Sequence, residues 1–491
     1  MTSLSLTSLA HLPASVQRPA YDPGAVQLGI VHLGVGAFHR AQEAVFTDGV
    51  LGNDLRWGII GVSLRSPDTR DALQPQNFLY SVAARDAAGE RLRVIASLRD
   101  ILVAPENPAA VIEAMCRDSV KIVSLTVTEK GYCHDPATGE LNETHADVRH
   151  DLAHPESPRS APGFLALALL QRRRRGLPPF TILSCDNLPS NGATVRKVVA
   201  RFAGLIDADF GRFVTDHVAF PCTMLDRIVP ATTDADRARV AASLGVTDAW
   251  PVIAEVFNSW VVEDHFPQGR PAWAATFVAD VAPFEHMKLR LLNGAHSTLA
   301  YLGYLAGYET VADAMADPNL AAIVKRLMHQ EAAPTLKVPP GTDVEAYMSA
   351  LLQRFRNPAL RHRTWQIAMD GSQKLPQRLL GTARDLMAMG KPIDCVALGV
   401  AAWMRYVTGL DEMGAAIDVR DPLRDELCRR ADAAGLDAAK LAPALLGIEQ
   451  IFGRDLPRHP QFTDAVTVAL NSLIRHGSHV TLKRCREGPL S

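Results

Sequence analysis

Cysteine is scarce and unpaired in this chain. The seven cysteines among 491 residues (116, 133, 185, 222, 395, 428 and 485) never stand as C-x-x-C. Such a set argues against a disulfide framework or a structural zinc site and fits a reducing cytoplasm. No apolar run reaches the roughly 18 residues that a bilayer span takes. The nearest stretch, 291–308, carries Asn293, His296 and Ser297 and reads as protein core. Charge of either sign is not in excess: 51 Lys+Arg stand against 53 Asp+Glu, a net −2, so no global field recruits nucleic acid or an anionic membrane. The one basic run, 172–175, reads as a solvated helix end before a Gly176-Leu-Pro178-Pro179 turn. The N-terminus has no basic leader and meets Pro13 and Pro19, which predicts a loose arm rather than an export signal. Repeats and low-complexity segments are missing. These absences predict a soluble, cytoplasmic chain with no nucleic-acid or membrane partner.

What is present is a globular composition, 47% hydrophobic and 21% charged, in a chain long enough that two large domains are the default. Residues 25–33 are β-rich and run into Gly34-Val-Gly36-Ala-Phe38-His39-Arg40, with helix formers from Ala41 through Val45. Strand, G-x-G, helix is the order in which a glycine turn lets backbone N–H groups reach a pyrophosphate. His39 stands where a third Gly or Ala is usual, so the fingerprint is incomplete. Residues 57–64 read as the second strand, and Arg65-Ser66-Pro67-Asp68 follows where an acidic residue would hold the adenosine ribose of NAD. Asp68 is the candidate acceptor, while Arg65 would tolerate a 2′-phosphate, leaving NADP open. Strand-like runs at 93–95, 120–127 and 180–184 alternate with helical stretches at 108–117 and 163–173, which predicts a doubly wound parallel sheet. Polar clusters at 126–132, 184–192 and 224–230 fall at strand ends, where such sheets bind ligands.

From about residue 284 strand signals nearly vanish and amphipathic helical stretches take over at 320–331, 344–355, 378–389 and 396–408. The fold class is therefore an α/β Rossmann-type N-terminal domain (1–283) followed by a mostly α-helical C-terminal domain (284–491). Pro283 marks the boundary, which would set Lys288 beside an interdomain cleft. The most informative stretch is Lys288-Leu-Arg-Leu-Leu-Asn293-Gly-Ala-His296-Ser297. At about 100° per residue of an α-helix, Asn293 falls roughly 140° from Lys288 and His296 roughly 80°, between them. A desolvated lysine can have its pKa brought toward neutrality and act as a base; an amide can donate to a developing alkoxide, and an imidazole can orient a hydroxyl. A snorkelling lysine and a hydrogen-bonded core histidine are the commoner explanation of any such triplet taken alone.

The motifs together resemble the long-chain polyol dehydrogenases, the mannitol dehydrogenase family, which includes mannitol 2-dehydrogenase, fructuronate reductase (D-mannonate oxidoreductase) and tagaturonate reductase. They are G-x-G-x-F-H-R at 34–40, T-E-K-G-Y at 128–132, C-D-N at 185–187, D-R-I-x-P at 226–230, E-D-x-F at 263–266 and K-x-x-x-x-N-x-x-H at 288–296. The segment Asp370-Gly-Ser-Gln-Lys374-Leu-Pro-Gln-Arg378 looks like the family's substrate-side motif. The resemblance implies an NAD-dependent, metal-free oxidoreductase of polyols or sugar acids, acting as a monomer. It implies cofactor contacts from Gly34, Gly36, Phe38, His39, Arg40, Asp68 and Thr126. It also implies Lys288 as catalytic base, Asn187 and Asn293 stabilising the oxyanion, His296 on a substrate hydroxyl and Glu129 in the proton path. Asp226 would contact substrate or brace the site, and Lys374 would meet a substrate carboxylate, with Arg378 and Arg361 behind it.

Where mannitol-type members are expected to place Arg and His contacts, this chain has Trp365-Gln-Ile-Ala-Met369, which looks closer to fructuronate reductases. The expected reaction is D-fructuronate/D-mannonate interconversion, with mannitol or arabinitol 2-dehydrogenase as the alternative. Other dehydrogenase chemistries lack their residues. No tyrosine has a lysine four positions later, as short-chain reductases require, and the Cys/His ligands of zinc alcohol dehydrogenases are missing. A catalytically silent NAD-binding sensor is the reading from another class, and the intact Lys288, Asn187, Asn293 and His296 set argues against it.

Overall fold

The computed structural model describes every residue except Met1, Ala87, Pro136, Ala137, Pro489 and Ser491. It divides into two compact units, Met1–Ala282 and Pro283–Ser491.

The first unit holds the strands β1 (Leu28–Leu33), β2 (Gly58–Ser63), β3 (Tyr80–Asp86), β4 (Gly89–Ile95), β5 (Leu98–Val103), β6 (Ile122–Leu125), β7 (Thr181–Ser184), β8 (Thr223–Asp226), β9 (Val252–Glu255), β10 (Ser259–Glu263) and β11 (Thr276–Val278). Five of them form a parallel sheet in the order β5-β2-β1-β6-β7. The strand order reverses between β1 and β6, which is where such sheets open a ligand crevice. Alternate residues of these strands enter two apolar layers. Val31, Leu33, Val123, Leu125 and Ile182 pack on one face, Ile30, Ile59, Ile122 and Leu183 on the other. Burial on both faces is why these strands read as continuous apolar runs.

Two further three-stranded sheets, β4-β3-β9 and β11-β10-β8, lie outside the parallel one. The run at 93–95 belongs to the first of these, where β4 is antiparallel to β3, and not to the doubly wound sheet. The strand that does occupy that place is β5. It is an edge strand with Arg99 and Asp100 half-exposed, so its sequence lacks the apolar continuity of its neighbours.

Two other expectations are corrected. The N-terminal segment is docked: Leu4, Leu12 and Val16 are buried, and the Leu4 N–H donates to Thr247 O at 2.8 Å. Within the basic run, Arg172 is fully buried. Its guanidinium donates to the carbonyls of Met115, Arg117 and Pro178 and lies over the Phe180 ring, while Arg173 to Arg175 are exposed.

In the second unit the described residues form no strand. One continuous core runs through the helices Gly294–Leu305, Val344–Phe355, Asp394–Tyr406 and Pro460–Glu487. The uncharged 396–404 stretch is wholly buried in it. Three segments are π-helical: Lys288–Asn293, Leu327–Ala332 and Pro376–Leu380. Among the described residues no helix is long and apolar enough to cross a membrane.

Candidate active site

Residues predicted from the sequence fall in both units, and each set is described within its own unit. In the first, β1 ends at Leu33 and Gly34 turns the chain with φ +95°. A Cβ there would stand 2.0 Å from the Thr126 carbonyl, so only glycine lets the β1 loop lie against the end of β6. The Thr126 hydroxyl donates back to Gly34 O at 2.7 Å and closes that contact. Gly36 is exposed, caps the short helix Ala37–Ala41, and a Cβ on it would meet nothing within 4 Å. That open space beside a glycine turn is what a dinucleotide pyrophosphate needs. Asp68 is exposed just beyond β2 and accepts from the Ser66 hydroxyl at 3.0 Å, and Phe38 is half-buried.

His39 and Arg40 were expected on the cofactor, but their side chains turn into the core. Arg40 donates to Trp250 O at 2.5 Å and lies over the Tyr80 ring. His39 is fully buried and stacks on His32, with ring centroids 3.5 Å apart. What these two can offer a dinucleotide is backbone. Thr126 likewise has its hydroxyl occupied, by Gly34 O and by His32 Nε2 at 2.8 Å. The stacking also explains the missing third glycine. The helix breaks at Gln42 (φ −121°, ψ −95°), and the His39 ring fills the space that close helix–strand packing would take.

His32, His39 and Glu43 are the cluster of potential metal ligands among the described residues, with their ligand atoms within 4.8 Å of one another. The two rings are only 12° from parallel. Imidazole lone pairs lie in the ring plane, so two stacked rings cannot both aim at one ion. The cluster acts as a polar brace: His32 Nδ1 is 2.8 Å from Ser124 Oγ on β6 and 2.9 Å from the Glu43 carboxylate. Burial holds His39 well below the usual imidazole pKa, helped by His32 and Arg40.

The remaining predicted residues of this unit stand at strand ends. Glu129 lies in the turn Thr128–Gly131 after β6, Asn187 is exposed after β7, and Asp226 closes β8 in a buried position.

In the second unit, Lys288, Asn293 and His296 are all buried on a single continuous helical run. The α-helical spacing assumed above does not hold there. Lys288–Asn293 is a π turn, and the Gly294 N–H donates five residues back to Leu289 O. The wider turn makes position i+5 the neighbour of i, which brings Asn293 round toward Lys288 instead of 140° away. Such π turns concentrate at functional sites.

Gly294 lets the run approach a second π turn, Pro376–Leu380. A Cβ on it would stand 2.8 Å from Arg378 O. The Arg378 guanidinium donates to Ser297 Oγ at 3.2 Å, next to His296. Lys374 donates to Met369 O at 2.5 Å and Ile367 O at 3.2 Å, so its ammonium is largely committed to backbone carbonyls. Arg361 is exposed, and Trp365 donates to Asp418 O.

The His296 Nε2 and Asn293 Oδ1 atoms are buried and make no hydrogen bond among the described residues. Burial is the main cause that holds His296 well below the usual imidazole range, and the basic groups around it, His362, Arg378, Arg354 and Lys288, push in the same direction. Its ring packs on Phe355 and meets His362 edge-on at 5.5 Å. Burial and Lys374 push His362 down to about 4. Arg354 and His362 were missed from the sequence. Neither lies in a motif, and folding alone sets them beside His296.

The glycine turn, the parallel sheet and a buried amine–amide–imidazole set define a dinucleotide-dependent dehydrogenase with a helical second unit. The sequence pattern of the mannitol dehydrogenase Rossmann domain matches residues 28–275, and that of the mannitol dehydrogenase C-terminal domain matches 280–474. The chain belongs to the mannitol dehydrogenase family. It is 47% identical over 483 residues to the D-mannonate oxidoreductase of Escherichia coli (strain K12), covering 96% of this chain and 99% of that one. It is 39% identical over 482 residues to the mannitol 2-dehydrogenase of Aspergillus terreus, covering 96% and 95%. The structure of Pseudomonas fluorescens mannitol 2-dehydrogenase in ternary complex with NAD and D-mannitol is similar with a TM-score of 0.93 at 40% identity, over 99% of this chain and 100% of that one.

Proposed function

We propose that this protein interconverts a keto sugar acid and its aldonate, D-fructuronate and D-mannonate, using NAD. The observation that carries the reading is the placement of Arg378, whose guanidinium donates to Ser297 Oγ at 3.2 Å beside the buried His296, where the charges of Arg354 and Lys288 also bear on the imidazole. Such surroundings favour a substrate bearing a carboxylate over a neutral polyol, and Arg378 is the group to receive it.

NAD, when bound, accepts the hydride from the carbinol carbon. The glycine turn at Gly34 and Gly36 would hold its pyrophosphate, and Asp68 its adenosine ribose. Lys288 takes the hydroxyl proton in oxidation and returns it in reduction. The Asn293 amide donates to the oxygen as charge develops there, a contribution of about 3–4 kcal/mol for one preorganised donor. Neutral His296 accepts from a neighbouring substrate hydroxyl through Nε2. Roles for Asn187 in oxyanion stabilisation, Glu129 in the proton path and Asp226 on the substrate rest on the likeness of their motifs to the family's.

Mannitol 2-dehydrogenase activity is the second reading, favoured by the 0.93 TM-score to the mannitol-bound enzyme. The test is NADH oxidation at neutral pH with D-fructuronate and with D-fructose, each repeated with Lys288→Ala. A fructuronate preference that vanishes in the variant supports the proposal. A fructose preference gives the second reading, and turnover that survives Lys288→Ala removes the base assignment.

A further inference from the structure

The C-D-N motif contains a residue to which no role has been given, Asp186. Its carboxylate reaches out of the β7 loop to the loop after β6. Oδ2 accepts from the Val127 N–H at 2.9 Å and the Tyr132 hydroxyl at 2.7 Å, and Oδ1 accepts from the Thr128 N–H at 3.1 Å. Tyr132 is buried, and its hydroxyl also lies 2.7 Å from Ser184 Oγ at the end of β7.

The grip falls on a strained point. Thr128 has φ +63°, a left-handed conformation that a β-branched residue rarely adopts and that persists only where the surroundings impose it. Two successive N–H groups on one carboxylate are such an imposition. Glu129 is the next residue along one loop, and Asn187 the next along the other.

A second link extends the tie. The Asn191 amide donates to Asp186 O at 3.1 Å, Ser184 O at 3.2 Å and Thr223 O at 3.0 Å, and accepts from the Thr223 N–H at 2.9 Å. Thr223 opens β8, the strand that ends at Asp226. One partly buried polar network therefore joins the two loops that carry Glu129 and Asn187 to the strand that ends at Asp226.

We propose that Asp186 is a positioning residue: by clamping Val127, Thr128 and Tyr132 it sets the backbone from which Glu129 and Asn187 act. The proposal rests on the roles given above to those two residues. A small displacement of a reacting group is enough to matter, since about 1 Å of misplacement can cost 100-fold. Asp186→Asn keeps the shape but turns an amide N–H toward one of the backbone N–H groups it must receive. Tyr132→Phe removes only the third donor.

The experiment compares full-length Asp186→Asn, Tyr132→Phe, Glu129→Gln and the Asp186→Asn/Glu129→Gln double variant. It measures kcat and KM with whichever of D-fructuronate and D-fructose is turned over, and the NADH dissociation constant by fluorescence titration. Asp186→Asn should lower kcat about 10–100-fold, Tyr132→Phe less, with NADH affinity within about twofold of wild type. If Asp186 works through Glu129, the double variant will be scarcely slower than Glu129→Gln, because effects that share one route do not add. Wild-type kcat in both Asp186→Asn and Tyr132→Phe overturns the proposal, and full additivity with Glu129→Gln overturns the route through Glu129. If Glu129→Gln itself turns over normally, the role of Glu129 has failed and the proposed route through it falls with it. Should Asp186→Asn not fold, Tyr132→Phe alone and combined with Glu129→Gln decides by the same criteria.

Discussion

Replacing Gly34 by alanine tests the cofactor half of the site, with Gly36→Ala as its internal control. At Gly34 the backbone has φ +95°, and the new Cβ would lie 2.0 Å from Thr126 O. The β1 and β6 loops would have to part by about 1.4 Å, the shortfall from the 3.4 Å at which ordinary contact begins. Parting them also breaks the Thr126 Oγ1 to Gly34 O hydrogen bond, worth about 1 kcal/mol. Adding the strain of a positive φ on alanine, the cost comes to about 2–4 kcal/mol. For a unit of this size that lowers the melting temperature by about 3–8 °C.

Gly36 differs in both respects. Its φ of −79° suits any residue, and its Cβ meets nothing within 4 Å. Gly36→Ala should therefore melt within about 2 °C of wild type. If the space beside it receives the pyrophosphate, the added methyl will still weaken NADH binding, by about tenfold. The assay is thermal unfolding without cofactor, paired with NADH fluorescence titration. Gly34→Ala should fail in both measurements and Gly36→Ala in binding alone. Wild-type melting of Gly34→Ala would refute the contact argument, and wild-type NADH affinity in Gly36→Ala would refute the placement of the pyrophosphate.

Further expectations concern the second unit and one buried cation. Arg378→Leu should reduce kcat/KM for D-fructuronate by about 10–100-fold, the worth of one hydrogen bond to a charged group, and reduce that for D-fructose less; equal losses would deny Arg378 a carboxylate-binding role. His362 is pushed down to about 4, so below its unfolded pKa near 6.5 the unfolded chain takes up a proton that the folded chain refuses. Stability should thus fall as pH drops from about 6.5 to 4, by about 3 kcal/mol from this group, with His296 adding in the same direction. Melting curves across that range should show a flatter slope for His362→Asn, and an unchanged slope would contradict the burial argument. Arg172→Met strands three carbonyls and should cost about 2–4 kcal/mol in urea unfolding without touching kcat, whereas a loss below about 1 kcal/mol would show that water replaces the guanidinium.

The sequence by itself determined the family, the fold class and the order in which the candidate site residues come. The glycine turn, the strand-end clusters and the Lys288, Asn293 and His296 spacing are local features. Each depends on residue type over a few positions, so it survives in a linear reading. The uncharged run at 396–404 declared a buried helix for the same reason.

Tertiary structure alone decided three other things. The π turn at Lys288–Asn293 depends on an extra residue per turn being accommodated by packing against a neighbouring segment, which periodicity cannot reveal. The inward rotation of His39 and Arg40 depends on partners far along the chain or on the adjacent strand, Trp250 and Tyr80 for one and His32 for the other. Apart from Lys288 on its own run, the basic neighbours of His296 come from segments some 60 to 80 residues downstream, and only folding sums their fields at one imidazole.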